Sequence, residues 1–304
     1  MEVPEDIQNW NMHWSKREYN MSTCKIYLFF LLLFGPGTIL AQGSKSLSPG
    51  VKIVSVNGTI SEILADLGLE KNLVGVDVTS TYPASMRAKP KVGHNRNLSA
   101  EGILALQPDI VTGLYLDMKP ELITQLKSAG IKLLLFKQEY SAEGTRKLIR
   151  EVAASVGKTQ LAAGMIAKLD KDLAGASRII HARIKPKVLF IYARGTGTMM
   201  VAGKGTQVQT IIQLSGGENA VTGFSDFKPL TAESLVESDP DVILLFSSGL
   251  ESLGGIGGLL SVQGIDQTKA GKNKKVVSMD GALLTGFGPR LGQAVAELTQ
   301  KIHQ

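Results

Sequence analysis

The sequence predicts an α/β protein of two Rossmann-like lobes, each built on a central, mostly parallel sheet, joined by a long interdomain helix. Three observations predict it. Short apolar strands alternate with amphipathic helices from Val51 onward, a thirteen-residue motif recurs 132 positions later, and a proline-free stretch rich in Ala, Lys, Leu and Glu separates the two copies. Alternation favours parallel pairing, because a helix carries the chain back across the sheet before the next strand. A chain of 304 residues is also long for one small core.

The elements follow in order. Lys52 to Val56 reads as a strand and Asn57-Gly58 as a turn. A helix with apolar positions Ile60, Ile63, Leu64 and Leu67 follows, closed by Gly68. A strand is expected at Leu73 to Val78, a polar loop through Tyr82 to His94, a helix from Ser99 and a strand at Ile110 to Thr112. The repeat is Leu98 to Ile110 (LSAEGILALQPDI) against Leu230 to Val242 (LTAESLVESDPDV), identical at five of thirteen positions. Each copy offers a Ser or Thr to cap a helix, a Glu in its first turn and Pro-Asp before a strand. Residues 141–185 read as the connecting helix, with a break expected at Gly157 or Gly164. Beyond it, Lys187 to Tyr192 and Val276 to Met279 read as strands, and about Arg290 to Ile302 as a final amphipathic helix. The expected units are therefore a first lobe over 50–140, the connecting helix over 141–185 and a second lobe over 186–304.

At the N-terminus, Ile26 to Leu40 is an uncharged apolar run with Lys25 before it and Ala41 after it, the layout of a secretory signal peptide. Residues 1–41 are assigned to that signal, with 1–20 an upstream extension and Met21 the expected start. The alternative is a membrane anchor, but the run is short for a spanning helix and contains Gly35-Pro36-Gly37. Cys24, the single cysteine, precedes the run, which disfavours a lipid-anchored precursor. A secreted chain without cysteine has no disulfide, Cys-zinc site or thiol nucleophile, so a metal would need His, Tyr, Met or carboxylate ligands.

The net charge is +6, and the chain stays basic without residues 1–41. Its cations are scattered rather than grouped with aromatics, so no nucleic-acid partner is expected; an anionic small ligand suits the charge. Gly203-Lys204-Gly205-Thr206 lacks the spacing of a phosphate loop and is expected to cap a helix. No Ser-His-Asp arrangement and no histidine cluster suggests a hydrolase or a zinc site.

Four stretches carry a resemblance: 53–83, 91–111 (KVGHNRNLSAEGILALQPDIV), 201–221 and GFGPRLGQAV at 286–295. In this order and spacing the chain resembles the helical-backbone periplasmic binding proteins of ABC importers for haem, cobalamin and ferric siderophores, and the haem branch in particular. The resemblance implies a periplasmic, monomeric, non-enzymatic protein that holds haem between two lobes and delivers it to a permease dimer. It implies that Glu101 and Glu233, one per lobe, dock on that permease; the plainer reading is that both complement helix dipoles. Cobalamin or a ferric siderophore is the alternative cargo, and a periplasmic haem enzyme a further one.

Ferric haem needs an axial ligand. Haem-binding relatives place a tyrosine after Val-Gly, where this chain has His94. Of the histidines beyond residue 41, His181 falls in the connecting helix and His303 at the end, leaving His94 in a cleft loop. In the second lobe Tyr192 and Arg194, two apart on a strand, share a face. The resemblance implies a clamp with His94 and Tyr192 on the iron from opposite lobes. Arg194 would support the tyrosine, because a guanidinium beside a phenol favours the phenolate that binds ferric iron. Tyr82, Tyr115 and Tyr140 compete for the ligand role. Arg96, with Lys204 and Arg290, is a candidate partner for the propionates.

Overall fold

The computed structural model describes residues 47, 48, 50–94, 97–180 and 185–304. The apolar run 26–40, Cys24, Arg96 and His181 lie outside the described residues. Among the described residues no helix is long and apolar enough to cross a membrane.

The first lobe runs β1 (Ile53–Ser55), α1 (Gly58–Asp66), β2 (Leu73–Val76), β3 (Gly93–His94), β4 (Asn97–Leu98), α2 (Ala100–Leu104), β5 (Ile110–Leu114), α3 (Pro120–Ser128) and β6 (Lys132–Phe136). Two linking helices follow, α4 (Ala142–Ser155) and α5 (Thr159–Ser177). The second lobe opens with β7 (Lys187–Ala193), β8 (Met199–Ala202), α6 (Gln207–Leu214), β9 (Glu218–Asn219), β10 (Phe227–Pro229) and α7 (Ala232–Ser238). It continues with β11 (Val242–Phe246), α8 (Ser247–Ser252), α9 (Gly255–Leu260), α10 (Lys269–Lys272), β12 (Val276–Met279), α11 (Gly281–Thr285) and α12 (Leu291–His303).

The first sheet is all parallel, in the order β2-β1-β5-β6, with β3 and β4 forming a separate hairpin. The second is mixed: β7, β11, β12 and β9 pair in parallel, whereas β8 and β10 add antiparallel strands along one edge.

One local expectation changes and a second is refined. Asn57-Gly58 is a helix start rather than a turn: the Asn57 side chain accepts from the Thr59 and Ile60 amides at 3.0 and 3.2 Å, which makes it the N-cap of α1. In the connecting segment α4 and α5 are two separate helices, and the break falls at Gly157, one of the two positions expected. Gly157 at φ +69° ends α4, and the Lys158 amide donates back to the Ala153 carbonyl at 2.8 Å, closing that end as a left-handed glycine cap does. The chain then doubles back, so that Arg146 of α4 meets Asp170 of α5 at 2.7 Å. Helix α5 packs along α12, and one apolar core runs from Ile60 and Leu148 through Leu169 to Phe190 and Leu298. At the α5–α12 contact, a Cβ on Gly292 would lie 2.8 Å from the Leu169 carbonyl oxygen and 2.5 Å from the Asp172 Cβ. The two helices approach this closely only because position 292 has no side chain.

The internal repeat has a structural cause. Asp109 accepts from the Lys52 amide at 2.8 Å and Asp241 from the Lys187 amide at 2.9 Å. In each lobe this carboxylate ties the start of one strand to the start of its neighbour, β5 to β1 and β11 to β7. Ser99 and Thr231 cap α2 and α7 as the motif predicts, and Thr206 likewise caps α6.

Candidate functional site: the interlobe cleft

A cavity of about 250 Å³ lies between residues that follow β1, β2, β5 and β6 on the first-lobe side and residues of α6, α11 and the start of α12 on the other; loops after the carboxyl ends of strands are where open α/β sheets bind ligands. Asn57, at the end of β1, lines it and also donates from Nδ2 to Asp117 Oδ2 at 3.1 Å, fixing the turn after β5 against the start of α1. Glu62, Tyr82 and Tyr140 are among the residues lining the first-lobe side, and Gln207, Gly286 and Arg290 among those lining the second.

The two sides are joined across a seam. The Gly286 carbonyl accepts from Thr59 Oγ1 at 2.6 Å and Gln138 Nε2 at 2.7 Å, and the Phe287 carbonyl accepts from Thr145 Oγ1 at 3.0 Å. Phe287 is buried, sits at φ +49° and meets the Tyr140 ring edge-on at 5.5 Å. Such a backbone conformation at a non-glycine residue is uncommon and is held by its surroundings. Beside it Arg290 donates to Glu62 at 2.8 Å, while its guanidinium lies 3.6 Å from the centre of the Tyr82 ring. Burial pushes the Glu62 carboxyl above its ordinary value, against the opposing pull of the Arg290 hydrogen bond and charge. Glu62 Oε1 and Arg290 Nε are buried and have no hydrogen-bond partner among the described residues.

Nothing in the sequence signals this ion pair, because its members stand 228 residues apart. Arg290, one of three candidate partners for a ligand's carboxylates beside Arg96 and Lys204, has its charge engaged by Glu62.

His94 is exposed on β3, opposite Asn97, and the Gly93 carbonyl accepts from the Val78 amide at 3.0 Å, which sets the hairpin beside the carboxyl end of β2. Tyr192 is half-buried near the carboxyl end of β7, with its ring edge-on to Phe246 at 6.2 Å. The Arg194 guanidinium lies 5.8 Å from the centre of the Tyr192 ring, so these two side chains come together. None of the three lines the cavity described above, whereas Tyr82 and Tyr140 do. Tyr115 is exposed in the turn after β5, and Lys204 is exposed before α6. No group of three or more His, Cys, Asp or Glu that could hold a metal occurs among the described residues. Glu101 and Glu233 are exposed in the first turns of α2 and α7, and their side chains make no hydrogen bond or ion pair among the described residues.

Two α/β lobes tied by paired helices, with a polar cavity between residues of both, define a protein that holds a ligand between lobes. The chain belongs to the periplasmic binding protein family, whose family model matches residues 53–283. Among solved structures it is similar to the periplasmic haem-binding protein RhuT from Roseiflexus sp. RS-1, in apo form. The two are 38% identical with a TM-score of 0.80, over 84% of this chain and 98% of that one. The periplasmic haem-binding protein BhuT, solved with two haems, is 36% identical with a TM-score of 0.78, over 83% of this chain and 97% of that one. The haem-binding protein HmuT is 30% identical with a TM-score of 0.75, over 83% and 84%. HmuT has also been solved with alanine in place of a histidine, of a tyrosine, and of an arginine two positions after that tyrosine.

Among curated proteins, the uncharacterized ABC transporter substrate-binding lipoprotein YvrC of Bacillus subtilis (strain 168) is 28% identical over 83% of this chain and 80% of its own length. A cobalamin-binding protein of Halobacterium salinarum is 26% identical over 64% of this chain and 53% of its own length.

Proposed function

We propose that this protein captures ferric haem between its lobes outside the cytoplasmic membrane and delivers it to the permease dimer of an ABC importer, without chemistry on the cargo. The observation that carries the reading is the Tyr192–Arg194 pair at the carboxyl end of β7, with the guanidinium 5.8 Å from the ring centre. Its spacing matches that of the tyrosine and arginine substituted in HmuT. His94, on the hairpin beside the carboxyl end of β2, supplies the second axial ligand; imidazole nitrogen is a common iron ligand. The signal run at 26–40 accounts for export, Arg96 meets a propionate, and Glu101 and Glu233 meet cationic residues of the permease, the protein acting as a monomer of two lobes over 50–140 and 186–304.

Titration of the purified protein with hemin tests this. A shifted and sharpened Soret band is expected, altered by His94→Ala and by Tyr192→Ala and lost in the double variant. Absence of a Soret shift refutes the haem reading, and an unchanged spectrum in the double variant refutes the ligand assignment. Cobalamin is the second reading, favoured by the Halobacterium relative's name. Tight retention of cyanocobalamin with no response to hemin would select it.

A further inference from the structure

Five of the large apolar or aromatic side chains left in solvent belong to one part of the first lobe. Val78 and Tyr82 follow β2, Tyr115 and Leu116 follow β5, and Tyr140 follows β6, with exposures of 44, 42, 54, 87 and 39%. These loops leave the carboxyl ends of strands in one sheet. Tyr82 and Tyr140 line the interlobe cavity, Val78 adjoins the lining residue Thr79, and Tyr115 and Leu116 are the two residues between lining Leu114 and Asp117. The Asn57–Asp117 hydrogen bond anchors that last turn. Other exposed apolar residues, such as Leu161, Val236 and Ile256, stand singly on α5, α7 and α9. Scattered apolar side chains at a surface need no explanation, whereas a group at the mouth of a cleft marks what the cleft holds.

Three phenol rings with a leucine and a valine suit a flat, apolar, aromatic face, and none of the five is an axial ligand in the reading above. We propose that this rim packs one face of a planar tetrapyrrole independently of the metal, so that the cleft binds metal-free porphyrin as well as haem. The basic chain, at +6, complements the two carboxylates that such a porphyrin keeps. A corrinoid, with groups standing above and below its ring, cannot lay a face on this wall. The inference rests on the cleft being the ligand site.

The test compares the wild type with Tyr115→Ser/Leu116→Ser, two exposed positions, using hemin and metal-free protoporphyrin IX, with thermal unfolding as the control for folding. The wild type is expected to bind protoporphyrin IX, read by porphyrin fluorescence. The variant is expected to bind it about tenfold or more weakly, the effect of losing much of one leucine-sized apolar contact. Hemin bound to the variant keeps the wild-type Soret position, because the axial ligands are untouched. The wall is refuted if the variant binds protoporphyrin IX as the wild type does, or if the wild type takes hemin and rejects protoporphyrin IX. Failure of hemin itself to bind refutes the haem reading instead.

Discussion

The two copies of the repeated motif use their acidic residues in opposite ways. Asp109 and Asp241 are engaged within their own lobes, each accepting from the amide at the start of the neighbouring strand at 2.8 and 2.9 Å. The carboxylates of Glu101 and Glu233, eight residues earlier in each copy, make no hydrogen bond or ion pair among the described residues. One short repeat thus separates a pair that each lobe needs for itself from a pair left facing outward at matched positions. The symmetry stops at the cleft, where Glu62 of the first lobe is answered by Arg290 of the second and the contact has no mirror image among the described residues.

The strongest way to break this picture is at the asymmetric contact. Arg290→Met strands a buried carboxylate and is expected to cost about 3–5 kcal/mol in denaturant unfolding; a loss under about 1 kcal/mol would make the pair equivalent to a surface one. The Asp pair comes next. Asp109→Ala and Asp241→Ala should each cost about 1–2 kcal/mol, and unequal losses would show that the tie matters in one lobe only.

A pH series sharpens the role of Glu62. Burial raises its folded-state value, so the native protein holds that proton more tightly than the unfolded chain does. The associated stability is full below the ordinary value of 4.5 and is lost as pH rises through the raised one. The Tm advantage of wild type over Glu62→Gln should therefore shrink as pH rises from 4.5 toward neutrality, and an advantage that grows would reverse the assignment. The smallest stability effect belongs to Glu101→Ala and Glu233→Ala, expected within about 0.5 kcal/mol of wild type. In a reconstituted importer the double variant should bind cargo normally and stimulate the transporter poorly; full stimulation would leave the two glutamates as helix-dipole partners and nothing more.

Much of this was legible in the chain because it is local. Strand and helix positions follow from apolar periodicity over a few residues, and Val276–Met279 is found as read. Tyr192 and Arg194 read as two apart on one strand; β7 ends at Ala193, and the guanidinium comes to 5.8 Å from the ring centre from just beyond the strand. The break after α4 was signalled by Gly157, though not that the chain would turn back there. What stayed hidden depends on distant partners. Asn57-Gly58 is turn chemistry in isolation and becomes a cap only because a helix follows. Arg290 reads as a free cation until Glu62 is brought to it, and Phe287 gives no hint of its left-handed backbone. His94 could be assigned to a loop, but not to an exposed position on a hairpin outside the cavity lining.

The close approach at Gly292 has a further consequence. Helices α5 and α12 lie near enough that a methyl group at that position would force them apart, and the core they share extends into both lobes. A dense interior of this kind resists deformation, so the width of the cleft is set when the chain folds rather than when the ligand arrives. Cargo settling into such a pre-set gap loses little free energy to reshaping its host. The effort of widening the gap, and so of letting the cargo go, falls to whatever grips the lobes from outside.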